Sequence, residues 1–109
     1  MPASDTSNTV LVTYRPKDGE ADKLEALVAR GGATLDRLGL LTSDPHLAFR
    51  AGDSDKEILI EILTWKDISV TGNPPEEVRA IWGEMQKLVE TRGGRSGIEI
   101  QHVKPVPIA

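Results

Sequence analysis

The chain of 109 residues has no cysteine. That excludes disulfides, thiolate metal sites and a thiol nucleophile, and it suits a reducing compartment. Aromatics are scarce: two Trp, one Tyr and one Phe. Histidines number two, His46 and His102. They lie far apart and no carboxylate is spaced to complete a metal motif. Basic residues are outnumbered, 13 against 17 acidic ones, for a net charge of −4. Nucleic acid calls for a basic face, and this chain offers none. No apolar run nears the roughly 20 residues of a membrane span. The polar start MPASDTSNT lacks the apolar segment of a signal peptide. No phosphate-binding glycine loop, nucleophile elbow or paired-carboxylate spacing occurs. The expectation is a cytoplasmic protein that binds neither nucleic acid nor membrane.

What the chain does contain is strand and helix periodicity. Residues 1–8 read as a loose tail. TVLVTYR, from Thr9, is β-branched and aromatic and reads as a strand that Pro16 stops. Leu24, Leu27, Val28, Gly31, Leu35 and Leu38 then recur at helical spacing. Gly31 and Gly32 interrupt this helix without breaking the phase of its stripe. Their missing side chains would let it approach a sheet closely. Gly39 suits its C-terminal cap. His46 to Arg50 is a short strand closed by Ala51-Gly52-Asp53, and Asp55 and Lys56 complete a turn.

The segment Glu57–Lys66, EILIEILTWK, says most. Side chains alternate faces along a strand. Ile58, Ile60 and Ile62 take one face, and Leu59, Glu61, Leu63 and Trp65 the other. Both faces are apolar, so both call for cover. Asn73-Pro74-Pro75-Glu76 then opens a second helix, with Asn73 as its cap. Val78, Ile81, Trp82, Met85, Leu88 and Val89 form its stripe, and Gly93 and Gly94 end it. Gly97–Val103 is a last strand, kept from continuing by Pro105 and Pro107.

The order βαββαβ is ferredoxin-like: an α+β fold with one antiparallel four-stranded sheet and both helices on one face. The other face stays open. An apolar open face is a liability for a monomer, and the simplest cover is a second copy packed sheet to sheet.

The element order, the EILTWKD segment and the helix PPEEVRAIWGEMQKLVE resemble the dimeric α+β barrel superfamily, in its antibiotic-biosynthesis-monooxygenase-like branch. The resemblance spans residues 9–106, leaving 107–109 as a C-terminal tail. It implies a homodimer through the sheet faces, with a pocket between helices and sheet in each subunit. It also implies a monooxygenase-like oxidation, without cofactor, of a small aromatic or polyketide-like compound. Catalytic members of the family commonly place a tryptophan at the end of the third strand, where Trp65 stands. The haem-degrading members add an asparagine on the first strand and a histidine early in the second helix. Here Thr13 or Tyr14 and a run of prolines and glutamates stand in those places.

Each candidate residue has a functional and a structural reading. Trp65 is either a pocket wall or a core or interface aromatic. Glu61, a carboxylate on a doubly buried strand, is either a general base or half of a buried ion pair. Tyr14, Trp82, Met85 and His102 are candidates to line a ligand pocket; all four have packing alternatives. His46, at the start of a strand, is expected at the surface, as are Arg79 and Arg92. The alternative to an enzyme is a non-catalytic dimer, a ligand-binding or stress-related protein.

Overall fold

The computed structural model describes residues 8–53 and 56–108. Four strands and two helices follow in the expected order. They are β1 (Thr9–Tyr14), α1 (Ala21–Arg37), β2 (Leu47–Asp53), β3 (Lys56–Thr64), α2 (Glu76–Leu88) and β4 (Ile98–His102). The sheet order is β2-β3-β1-β4, with all neighbours antiparallel. The two most apolar strands, β1 and β3, are therefore the central pair. Most of the expected N-terminal tail, residues 1–7, lies outside the described residues, as do Asp55 of the expected turn and Ala109.

Alternation along the central strands sorts the side chains. Val10, Val12 and Tyr14 of β1 and Leu59, Glu61 and Leu63 of β3 are buried on the face that meets the helices. The core is completed by Leu24, Val28 and Leu35 from α1 and Val78, Ile81 and Met85 from α2. Burying such aliphatic side chains stabilises by about 1.5–3 kcal/mol each. On the opposite face, Leu11, Ile58, Ile60 and Ile62 are half-covered by one another. Leu47 and Phe49, which pair with Ile62 and Ile60 across β2 and β3, are 45% and 51% exposed. The helices thus cover the Leu59–Glu61–Leu63 face and leave the isoleucine face open.

The two glycines of α1 stay within one continuous helix. Their partners differ from expectation. A Cβ on Gly31 would sit 3.3 Å from Met85 Cε and 3.5 Å from Ile81 Cγ2, so this glycine lets α2 approach, rather than the sheet. A Cβ on Gly32 would sit 2.8 Å from His46 Cε1. Helix α1 ends as predicted: Gly39, at φ +70°, sends its N–H to the Asp36 carbonyl, and the Leu40 N–H reaches the Leu35 carbonyl. That is the Schellman arrangement, which the left-handed residue makes possible.

The second helix departs from its sequence reading at both ends. Pro75, not Asn73, occupies the cap position, and no side chain caps it. The Asn73 amide oxygen instead accepts from Arg79, which is exposed as expected. Between β3 and α2 a 3₁₀ turn, Ile68–Gly72, is capped by the Asp67 carboxylate accepting from the Ser69 N–H. At the other end α2 stops at Leu88, before Val89, which turns extended and bridges to Pro16. Gly93 and Gly94 serve the tight turn between Arg92 and Arg95 instead. Arg92 is not solvated either. It clamps Glu90, the Glu57 carbonyl and the Pro16 carbonyl together. Among the described residues no helix is long and apolar enough to cross a membrane.

Gly97 is buried against Val89: an added Cβ would fall 2.7 Å from Val89 Cγ2 and 3.0 Å from the Glu90 nitrogen. Gly97→Ala is therefore expected to destabilise the fold by about 1–3 kcal/mol through overpacking. Gly83→Ala, in α2 with nothing within 4 Å of the new methyl, is expected to stabilise by up to about 1 kcal/mol. Paired urea titrations check both; equal shifts of the same sign would refute the packing argument.

Candidate functional site

Helix α2 packs against α1, and between the helices and the central strands the side chains do not fill the space. The result is a cavity of about 480 Å³. Its size is typical of a small-molecule pocket. The lining is mostly aliphatic and aromatic: Val10, Val12, Leu35, Leu63 and Ile98 beside Trp65, Trp82 and Met85. Tyr14, Glu61 and His102 supply polar groups. All six residues singled out from the sequence, Tyr14, Glu61, Trp65, Trp82, Met85 and His102, line this one cavity.

Trp65 lies one residue beyond β3, where it carries on the strand's alternation. Its N–H donates to the Asn8 carbonyl and its backbone bridges to Leu41. The side chain is 3% exposed. It meets Trp82 edge to face, with ring centroids 6.1 Å apart and planes at 84°. Aromatic pairs prefer this geometry because a ring edge is positive and a ring face negative. Both rings line the cavity. His102, on the exposed edge strand β4, lies at its rim beside Ile100.

Glu61 is the polar centre. It is 5% exposed, in the middle of β3. The Tyr14 hydroxyl donates to Oε1 at 2.5 Å, and His46 Nε2 lies 2.5 Å from Oε2. Both carboxylate oxygens are thus engaged, as burial of such a group demands. The structural reading of the sequence called for an ion-pair partner; the structure supplies a tyrosine and a histidine. His46 is exposed at the surface as expected, but its ring is engaged. Its side chain is 26% exposed and the ring turns inward over Gly32 to reach Glu61. The pairing of Asp53 with Lys56 places His46 opposite Leu63, one diagonal step from Glu61 on the same face. Placing the strand end at Asp53, with the hairpin immediately after it, would have revealed this.

The electrostatics follow from the contacts. Burial raises the Tyr14 pKa far above its ordinary range; the charge of Glu61 and the hydrogen bond to it add to the effect. Tyr14 therefore remains a neutral donor. The His46 pKa is raised above its ordinary 6.5 mainly by the hydrogen bond to Glu61, with the charges of Glu61 and Asp36 assisting and partial burial opposing. Among the described residues no group of three or more His, Asp or Glu side chains could hold a metal ion.

A raised histidine pKa means that the folded state binds the proton more tightly than the unfolded chain. The stabilisation is complete below pH 6.5 and is lost as pH rises through the folded value. The stability difference between wild type and His46→Gln is expected to be about 1 kcal/mol in mildly acid solution and to shrink as pH rises. In parallel, Glu61→Gln should move the His46 ring titration down, read by NMR. An unmoved midpoint would separate the two residues.

No family model matches the sequence, and neither does any curated protein. Solved structures do. An antibiotic biosynthesis monooxygenase superposes with a TM-score of 0.67 at 13% identity, over 91% of this chain and 98% of its own. An asparagine-to-alanine mutant of SnoaB, a cofactor-independent oxygenase from Streptomyces nogalater, superposes with a TM-score of 0.63 at 15% identity, over 90% and 93%. At such identities the likeness is one of fold, and it holds over nearly the whole length of each chain. The chain shares the ferredoxin-like α+β fold of these two structures, one antiparallel sheet with both helices on one face.

Proposed function

We propose that the protein is a monooxygenase-like enzyme that oxidises a small aromatic or polyketide-like compound without a cofactor, with Glu61 as base and Trp65 and Trp82 as the aromatic wall. One observation carries the reading: a buried carboxylate on the wall of an otherwise apolar cavity, with a tyrosine hydroxyl beside it. An apolar cavity of this size with a few convergent polar groups is what a hydroxylated aromatic requires. Glu61 would draw the proton from a phenolic or enolic hydroxyl. That leaves an electron-rich anion able to reduce dioxygen itself. One oxygen atom then enters the substrate and the other leaves as water, with the two electrons and two hydrogens drawn from the oxidised carbon. The neutral Tyr14 hydroxyl, which donates to Glu61, would accept the substrate hydroxyl and relay its proton, and Met85 and His102 would line the pocket. The oxygenase activity named for the neighbour of like fold supports this class of chemistry.

The same reading places the protein in a homodimer. Leu11, Leu47, Phe49, Ile58, Ile60 and Ile62 form a contiguous apolar face that no element of the described chain covers. A second copy packed sheet to sheet would bury it through an isologous interface. Sedimentation at micromolar concentration should give twice the chain mass, and Phe49→Asp should halve it. A wild-type monomer would overturn the dimer.

Turnover is tested by oxygen uptake with a panel of dihydroxy-aromatic compounds. Glu61→Gln should lower kcat by about a hundredfold or more, the contribution expected of a general base. Trp65→Ala should chiefly raise KM. Absence of uptake by wild type across the panel, or full activity in Glu61→Gln, would overturn the mechanism.

A further inference from the structure

Glu61 stands in a partition. Besides the inner cavity, a second hollow of about 500 Å³ opens between α1 and β2, lined by Glu25, Asp36, His46 and Arg50 among others. Only Val28, Gly32 and Glu61 line both. Of the two groups hydrogen-bonded to Glu61, Tyr14 lines the inner cavity alone and His46 the outer cleft alone. The series Tyr14–Glu61–His46 therefore runs through the partition, with both contacts to the carboxylate at 2.5 Å. Its outer end exists because residue 32 has no side chain: a Cβ there would lie 2.8 Å from His46 Cε1. Gly32 is in the middle of a helix, where glycine is a poor choice. Nothing in the helix itself requires it.

On the reading of Glu61 as a base toward a hydroxylated ligand, we infer that Tyr14, Glu61 and His46 form a proton outlet from the inner cavity to the outer cleft, and that Gly32 is there to seat His46. A base buried beneath its substrate must discharge its proton before it can work again. The bound substrate closes the inner side, so the proton leaves by the outer one. The ligand O–H bond breaks and its proton passes to Tyr14 Oη as the tyrosine proton moves to Glu61 Oε1. The proton held between Glu61 Oε2 and His46 Nε2 settles on Nε2, and His46 releases its Nδ1 proton to water in the cleft. One proton leaves the ligand, one reaches solvent, and no electrons move. The charged groups that face His46 are Glu61 from β3, Asp36 and Glu25 from α1, and Arg50 from its own strand. The acidic majority favours a transient imidazolium there. His46 acts through Glu61 and touches no ligand, so it is a positioning and relay residue, not a catalytic one.

The test uses 1,2-dihydroxyanthraquinone, whose phenolate absorbs at longer wavelength than the phenol. Its binding is read by quenching of Trp65 and Trp82 fluorescence and its ionisation by stopped-flow absorbance. Wild type should bind and ionise it. His46→Gln should still bind the dye but ionise it at least tenfold more slowly, with the rate recovered by added imidazole. Gly32→Ala should reproduce the slow phase while melting no lower than wild type, since alanine is the better helix former. A wild-type ionisation rate in His46→Gln would overturn the outlet and leave the base intact. A wild-type rate in Glu61→Gln, or a dye bound by wild type without ionising, would overturn the base and the outlet with it.

Discussion

The site depends on one constraint: a carboxylate placed in the middle of a central strand, on the face that the helices cover. Unpaired, such a group would cost several kcal/mol of desolvation. Glu61 meets the constraint with a hydrogen bond on each oxygen, one from Tyr14 on the neighbouring strand and one shared with His46 on the other side. Val12 is its direct partner on β1, so Tyr14 reaches it diagonally. The register of three strands is thus tied together at one polar point inside an apolar layer. A one-residue slip would turn Glu61 outward and bury its neighbours Ile60 and Ile62 instead.

Around that point the molecule is divided by side-chain size. Where α1 carries glycine, neighbours come close: Met85 and Ile81 against Gly31, and His46 against Gly32. Where Trp82 and Met85 of α2 face the sheet residues Val12 and Leu63, the inner cavity opens. The same two helices therefore make both the tight seat for the histidine and the space for a ligand. Such a division suits a site in which the polar group is held rigidly and the ligand is held by shape.

The sheet's other face has a different economy. Its isoleucines are partly shielded by one another, while Leu47 and Phe49 on the edge strand remain open to solvent. The polar residues of β4, Glu99 and Gln101, share this face and mark its far border. Glu99 is held by Arg15 and Arg95. An apolar centre with a charged margin is the anatomy expected of a protein interface.

Much of the molecule was legible in the chain itself, because period-2 and period-3.6 patterns depend only on local geometry. The alternation of EILIEILTW put Glu61 and Trp65 on one face, and the shared phase of Val10, Val12 and Tyr14 put the tyrosine with the two valines; the β1–β3 register then brought Tyr14 to Glu61. Those patterns, with the family resemblance, also singled out six of the residues that line the inner cavity. Local rules failed where a distant contact outweighed them. Asn73 gave up its cap to bind Arg79. Val89 left its helical stripe to bridge Pro16. Leu38, last in the stripe of α1, became its exposed cap residue. His46 was invisible as a partner of Glu61, since the contact needs the β2–β3 register, the rotation of α1 and the empty place at Gly32 all at once. The sequence by itself determined the elements, their order and which side chains share a face of each strand. Only the tertiary structure decided which groups neutralise Glu61, because hydrogen-bond partners are chosen by position in space and the periodicity of the chain carries no record of it.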